Sequence, residues 1–152
     1  MCDYCDCRSH PQIASLSDDH EAMLLMLASL SAALTTDDAD LAHGLLSELH
    51  HLLDAHGVRE ERGIFTELRD AVTDDDYVGM FEQDHQRLHE LFVQGGGADW
   101  RRAASEIVKS LNEHILREET DLFPAAHQML TPDQWRAVDS ATLELSAKGS
   151  AP

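Results

Sequence analysis

Two copies of one short phrase place a histidine four residues before a glutamate, His56 with Glu60 and His114 with Glu118. Residues four apart on an α-helix project from the same side, so each pair presents an imidazole nitrogen and a carboxylate oxygen together. Both phrases continue with a second glutamate and a phenylalanine, and the second copy begins 58 residues after the first. Imidazole and carboxylate groups are ligands for first-row transition metals. The repetition predicts that both copies serve one metal site.

Three further histidines fall on the apolar faces of helical segments, where an imidazole needs a partner. The apolar residues of these segments recur at three- and four-residue spacing, which is typical of amphipathic helices. The inward histidines outside the two phrases are His20, His85 and His89. Four other histidines are turned away from the inward faces, and we predict that they lie at the surface: His43, His50, His51 and His127.

Metal ligation would satisfy all of these inward polar groups at once, whereas buried imidazoles without partners would lose their hydration. Seven protein ligands are too many for one ion, and two glutamates suit bridges between two ions about 3.5–4 Å apart. Imidazole and carboxylate without thiolate favour iron over manganese and zinc. The predicted ligands of a pair of iron ions are His20, His56, Glu60, His85, His89, His114 and Glu118.

The predicted ligand set is unequal on its two sides. His85 and His89 lie four residues apart, but the residue four positions after His20 is Leu24. One iron would then hold three histidines, and the other only His20 and His56. The second iron would keep an open position, where a small molecule can bind. Leu24 is therefore predicted to line the ligand pocket.

Four long amphipathic segments must position these residues. The first is predicted to begin at Ser17 as its N-cap and to end near Leu34. Pro124 is predicted to bend or end the fourth, because proline lacks a backbone N–H donor. The short connections predict an all-α, up-down-up-down four-helix bundle built from two similar hairpins. A short C-terminal fifth helix is predicted from Thr131, where threonine and proline form a helix start.

Composition and charge exclude several classes of partner. The chain has 152 residues, of which 11 are basic and 29 acidic, and its formal net charge is −18. This charge argues against nucleic acid and against an anionic membrane surface, since both would repel it. The apolar run at 22–34 follows acidic rather than basic residues, so we do not interpret it as a signal peptide. A cytoplasmic protein is the expectation.

All three cysteines lie within the first seven residues, in a polar arm that is predicted to lie outside the bundle. Cys2, Cys5, Cys7 and His10 have the spacing of a metal site, which leaves three interpretations open. The arm could hold a zinc ion, carry redox-active thiols, or be a tail with exposed thiols. The predicted organisation is an arm at 1–12, a bundle at 13–130, and a C-terminal helix with its tail at 131–152.

The ligand pattern resembles the hemerythrin-like (HHE cation-binding) domains. It has one histidine on the first helix, His-x-x-x-Glu on the second and fourth, and His-x-x-x-His on the third. The continuation Glu-Glu-x-x-(Ile/Leu)-Phe, at 60–65 and 118–123, is also characteristic of them. The resemblance implies a non-haem di-iron site, oxo- or hydroxo-bridged, that binds dioxygen or related molecules reversibly. In a regular helix Glu61 and Glu119 are turned by about 140° from the preceding histidine of their phrase, so we expect them to point away from the site and prefer Glu60 and Glu118. In oxygen-carrying members the last carboxylate falls five residues after its histidine, which leaves Glu119 as an alternative to Glu118.

The ligand set does not decide between three roles, because the pocket and the electron supply decide function. The first role is to bind or sense dioxygen without consuming it. The second is enzymatic reduction or disproportionation of peroxide, nitric oxide or a related oxidant, with a redox partner. The third is an iron-handling or iron-sensing module. An apolar pocket favours the first role, and the thiol arm favours the second.

Overall fold

A computed structural model describes residues 6–72 and 75–149, and every regular element among them is helical. A 3-10 turn, Cys7–Ser9, precedes the helices. The bounds of the helices are α1 Pro11–Thr36, α2 Ala39–Glu60, α3 Thr66–Ala71, α4 Asp75–Gly95, α5 Trp100–Arg117, α6 Phe123–Met129 and α7 Pro132–Gly149. Two π-helical turns, Glu61–Phe65 and Glu118–Leu122, join α2 to α3 and α5 to α6. The chain therefore forms the four long helical rods and the fifth helix that the sequence predicts.

Helix α1 begins six residues before the predicted N-cap. Pro11 occupies the first turn, and the His10 side chain caps it by accepting a hydrogen bond from the Gln12 backbone N–H. Proline suits this position because its fixed φ is helical and its missing N–H needs no partner there. Ser17, the predicted N-cap, is buried inside the helix. That prediction was wrong because the apolar face of α1 already begins at Ile13.

Pro124 does not end the fourth rod. It lies in the first turn of α6, directly after the π-helical turn. A π-helical turn shifts the backbone hydrogen bonds from i−4 to i−5. Pro124 thus starts a new α-helical stretch in register with the rod, at a position where its missing N–H is tolerated. The rod continues to Met129.

The rods pack as two hairpins around a shared interior. Helix α1 contacts α2 and α4 contacts α5, and the hairpins meet where α1 lies against α5 and α2 against α4. The interior is divided into two apolar clusters, one with Met23, Leu27, Leu49 and Ile107, and the other with Phe65, Phe81, Phe123 and Trp135. Helix α7 packs on α3 and on the adjoining π-helical turn, and covers the second cluster. Six of the seven polar residues predicted to bind metal lie in the interior between the two clusters.

No helix in the described part of the chain is both long enough and apolar enough to cross a membrane.

Candidate metal centre

Six of the seven predicted ligands converge in the interior of the bundle. They form two overlapping groups, one on each side of a pair of carboxylates: His20, His56, Glu60 and Glu118, and Glu60, His85, His114 and Glu118. The candidate ligand atoms within each group all lie within 4.8 Å of one another. Both glutamates belong to both groups. Each of the four rods supplies at least one of these side chains.

The Nε2 atoms of all four imidazoles point at the carboxylates. His20 Nε2 lies 3.0 Å from Glu118 Oε2, and His114 Nε2 lies 3.0 Å from Glu118 Oε1. His56 and His85 each place Nε2 3.4 Å from Glu60 Oε2. Glu118 therefore turns one oxygen to each group of histidines, as a bridging carboxylate would.

The Nδ1 atoms of the same imidazoles face outward to four further carboxylates. His20 Nδ1 lies 2.9 Å from Glu119 Oε1, and His85 Nδ1 lies 2.9 Å from Glu61 Oε1. The other two contacts are longer: His56 Nδ1 to Asp19 Oδ2 at 3.4 Å, and His114 Nδ1 to Asp84 Oδ2 at 3.7 Å. A carboxylate on the second ring nitrogen is the usual support of a metal-binding histidine, because it fixes the tautomer and the orientation of the ring.

Arginines of the repeated phrase support this outer ring. Arg59 forms an ion pair with Asp19, and Arg117 forms the corresponding pair with Asp84. Phenylalanines of the phrase stack on the remaining imidazoles: Phe123 on His20, and Phe65 on His85. The repeat thus supplies candidate ligands, the arginines that pair with the outer carboxylates, and the phenylalanine rings that stack on the imidazoles.

The two π-helical turns bring both glutamates of each phrase toward the site. In a regular helix Glu119 is turned by about 100° from Glu118, and we expected it to point away from the ligands. Instead Glu119 is buried and contacts His20. The spacing of apolar residues does not reveal the turns, because Ile64, four residues after Glu60, is buried as well as Phe65. π-helical turns often occur at functional sites.

In the metal-free protein, the buried carboxylates favour protonation of the histidines around them. Burial alone would lower the pKa of His56, but the nearby Glu60 and Glu118 carboxylates reverse this and raise the pKa to about 10. The same opposition, with the carboxylates prevailing, raises the pKa of His85 to about 11 and that of His114 to about 9. Burial and mutual repulsion favour the neutral form of Glu60, yet the histidines hold its pKa below the usual range. The site therefore pairs carboxylates with protonated imidazoles, and metal ions can take the place of those protons.

The hydrogen bonding of the inner groups is incomplete in a way that suits a metal. Within the described chain, no hydrogen bond of regular geometry reaches either carboxylate oxygen of Glu60 or Glu118, or Nε2 of His85 and His114. Buried polar atoms without partners are costly, and they are rare in native proteins. Lone-pair donors on imidazole and carboxylate would be satisfied together by cations between them. These residues fit the predicted pair of metal ions.

A comparison with protein families places residues 12–126 in the hemerythrin HHE cation-binding domain. The chain belongs to this family. The sequence prediction of a hemerythrin-like domain is confirmed, and with it the all-α bundle and a function in binding metal cations. No curated protein and no solved structure matches the chain.

The seventh predicted ligand of the hemerythrin-like domain, His89, does not lie at the centre. Its side chain is 59% exposed, and its Nδ1 atom lies 3.3 Å from Nε2 of His50. His89 follows the buried Leu88 directly, which turns it by about 100° around α4 from the inward face. The predicted inward orientation of His89 is corrected, and the expected excess of histidines on one side of the site is absent. His50, predicted to lie on the surface, forms a group with His89 and Asp54.

Leu24 does line a cavity beside the hemerythrin-like site. The cavity has a volume of about 330 Å³ and lies between α1 and α5. Its lining includes His20 and Glu119 together with Leu24, Ile115 and Leu116. On the opposite side, between α2 and α4, a cavity of about 480 Å³ is lined by His85, Glu61, Asp54 and His89. Each group of histidines therefore has a cavity beside it.

Part of the cysteine arm packs onto the hemerythrin-like bundle. Cys7 is buried in the apolar cluster near the site, and the ring of His10 stacks on Trp135 with centroids 3.6 Å apart. Arg8 contacts Glu21 at 2.9 Å and Glu119 at 3.4 Å, so the arm reaches the outer ring of carboxylates. Cys2 and Cys5 lie outside the described residues, and a zinc site that includes them remains a prediction.

Proposed function

We propose that this hemerythrin-like domain holds two non-haem iron ions and binds dioxygen or a related small molecule beside them. The observation that carries the proposal is the sharing of Glu60 and Glu118 by two groups of histidines. One ion would be held by His20 and His56, and the other by His85 and His114. Shared carboxylates are the usual way to hold two metal ions close together.

Iron suits this donor set better than zinc. The inner groups are imidazole and carboxylate without thiolate, and a structural zinc site is usually closed by four ligands of its own. The ligands of the second proposed ion are His85 and His114, together with the two shared glutamates. When bound, iron would supply a redox-active centre with positions for small molecules.

The cavity beside His20 supports a role in binding a small neutral molecule. Leu24, Ile115 and Leu116 give it an apolar wall, and His20 and Glu119 close its inner end. An apolar wall suits small neutral molecules such as dioxygen and nitric oxide, although Arg8, Glu21, Asn112 and Glu113 also line the cavity. We therefore place the small molecule on the side of His20, with Leu24 limiting its size.

A second candidate function is reduction of peroxide or a related oxidant, and the position of the arm favours it. Arg8 directly follows the buried Cys7 and contacts Glu119, which in turn contacts His20. The Cys7 thiol of the arm, buried in the apolar cluster, could pass electrons to the site. Replacing the three cysteines with alanine separates the functions: turnover with a thiol reductant should be lost, while reversible binding should persist.

Metal analysis and spectra test the proposal. We expect two iron atoms per chain, and absorption in air that changes after dithionite and again after peroxide. Glu60→Ala and Glu118→Ala should each lower the iron content, whereas the control Glu106→Ala, at an exposed position of α5, should leave it at two. One metal per chain in the parent protein, or two zinc atoms after growth in iron-replete medium, would contradict the di-iron assignment.

A further inference from the structure

We propose a second metal site on this chain, formed by His50, Asp54 and His89, that captures Fe²⁺ and passes it to the buried centre. His50 Nε2 lies 3.3 Å from His89 Nδ1 and 3.6 Å from Asp54 Oδ1. His89 Nδ1 lies 3.9 Å from the same carboxylate oxygen. Three ligand atoms from two neighbouring helices thus converge on one point near the surface.

The chemistry of this group fits a first-row divalent cation bound reversibly. Two imidazoles and one carboxylate occupy three positions and leave the others to water, as in sites that exchange their metal or ligands. The His50 ring is fixed because it stacks on Phe92, with an angle of 4° between the planes. His89 and Asp54 are more than half exposed, so an ion can reach them directly from solvent. The chain's strong negative charge attracts cations toward such a site.

The fold does not require histidine or a carboxylate at these three positions. The second phrase follows the first by 58 residues, and the pair Asp84-His85 follows Asp19-His20 by 65. At the same offsets, His50 corresponds to Val108, Asp54 to Asn112, and His89 to Leu24. The other hairpin thus fills the equivalent positions with two aliphatic side chains and an amide. The ligand set is therefore a local property of one face of the bundle.

A path of carboxylates leads from the surface group to the buried centre. The cavity of about 480 Å³ is lined by Asp54 and His89 at one end and by Glu61 and His85 at the other. Glu61 Oε1 lies 2.9 Å from His85 Nδ1, and His85 Nε2 lies 3.4 Å from Glu60 Oε2. His89 and His85 are one helical turn apart on α4, about 6 Å along the axis. An ion released by the surface group would meet oxygen ligands on its way inward.

The capture role rests on the proposed di-iron function, but the surface site itself does not. The triple variant His50→Val, Asp54→Asn, His89→Leu copies the side chains of the other hairpin, and its positions are on the surface side of the bundle. A control, Asp40→Asn with His51→Leu, makes the same change in charge at exposed positions of α2 outside the group.

Titration with Co²⁺ tests for the site. Parent and control proteins that are already loaded with iron should bind one Co²⁺ per chain more than the triple variant, as detected by visible absorption. The proposed site is overturned if the loaded parent takes up no Co²⁺, or if the triple variant takes up as much as the parent. If the parent does not hold two irons, the di-iron proposal fails. The surface site is then tested by the same titration on a Glu60→Ala, Glu118→Ala protein.

The rate of Fe²⁺ uptake tests the transfer role. Metal-free parent and triple variant are mixed with Fe²⁺ without oxygen, and after gel filtration has removed the Fe²⁺ that is bound reversibly at the surface, both should retain two irons per chain. Uptake by the variant should be slower by about tenfold, because the local concentration of cation at the cavity mouth is lost. Equal rates would show that the surface group binds metal without feeding the centre. Fewer than two retained irons in the variant would show that these residues belong to the buried site and would overturn the proposal of a separate site.

Discussion

At the scale of single residues, the site is built from imidazoles that contact carboxylates through both ring nitrogens. The outer carboxylates differ in environment although they correspond in the repeat. Glu119 is buried beside His20 and contacts Arg8, whereas Glu61 is 44% exposed beside His85. Water can replace an exposed partner, but not one in a dry environment. The two halves of the repeat are therefore expected to respond differently to the same substitution.

Removing the buried outer carboxylate should weaken the site more than removing the exposed one. We expect Glu119→Ala to lower iron affinity by about 10–100-fold, the usual effect of losing the partner of a metal-binding histidine. Glu61→Ala is the matched control and should have a much smaller effect. Retention of iron during competition with a chelator measures both. Equal losses in the two variants would contradict the role assigned to burial.

Leu24 should control access of small molecules to the side of His20. A tryptophan at this position would fill part of the cavity, so we expect Leu24→Trp to slow azide binding several-fold while iron content stays at two per chain. Leu25→Trp is the control, because Leu25 is the next residue, is exposed and lies outside the cavity lining. Stopped-flow absorption after azide addition gives the rates. If the control slows binding as much as Leu24→Trp, the cavity is not the route.

At the scale of helices, one glycine allows α2 to approach His85. A Cβ atom on Gly57 would lie 3.3 Å from His85 Nδ1, whereas a Cβ atom on Gly44 would meet nothing within 4 Å. The equivalent position of the repeat carries Ile115, so the close approach belongs to one hairpin only. Gly57 therefore sets the position of one imidazole.

Substitution of these two glycines separates helix propensity from site geometry. Gly44→Ala should stabilise the protein by about 0.5–1 kcal/mol, since alanine loses less backbone entropy than glycine. Gly57→Ala raises the helix propensity by the same amount, but its new Cβ atom would press on His85, so the iron content or the iron affinity should fall. Chemical denaturation and metal analysis measure the two effects. A Gly57→Ala protein that keeps both irons and gains stability would show that His85 is free to move.

The sequence predicted the helices, the repeat and six of the proposed ligands, and its errors have local causes. The inward placement of His20, His56, His85 and His114 was correct because the 3.6-residue period holds along these stretches of helix. Glu119 was misplaced because a π-helical turn changes that period, and no propensity scale marks such turns. His89 was misplaced because a four-residue step drifts by about 40°, which carried it past the edge of the inward face of α4. The surface group with His50 depended on the packing of α2 against α4, which periodicity within one helix cannot predict.

At the scale of the whole molecule, a polar site separates two apolar clusters that together stabilise the bundle. Without metal, the inner carboxylates and imidazoles remain buried with incomplete hydrogen bonding. Metal binding then adds to the free energy of unfolding, because the unfolded chain has no assembled site. We expect chelation of iron to lower the Tm by about 10 °C. Identical thermal unfolding curves with and without metal would contradict a central position of the site.

Loading with metal should also release protons, because metal ligands must be unprotonated. In the metal-free protein the carboxylates raise the pKa of His56, His85 and His114 to about 10, 11 and 9, so these groups are protonated at pH 7. Anaerobic addition of Fe²⁺ to a weakly buffered solution at pH 7 should therefore release about three or more protons per chain. The Glu60→Ala, Glu118→Ala protein should release far fewer, because it lacks the carboxylates that hold both the protons and the metal.

The same pKa shifts fix how the stability of the metal-free protein depends on pH. A histidine whose pKa is higher in the folded state stabilises the protein fully below about pH 6.5, its unfolded value. That contribution is lost as the pH rises toward the folded values of about 9 to 11 for His114, His56 and His85. Glu60 and Glu118 have lowered pKa values, so their contribution is lost as the pH falls below about 4.5.

The metal-free protein should therefore be most stable near pH 5–6.5, and its free energy of unfolding should fall steadily up to pH 10. The stabilisation added by metal should grow over that range. Urea unfolding at a series of pH values, with and without metal, measures both curves, and a metal-free protein that gains stability between pH 7 and 10 would rule out this charge pairing.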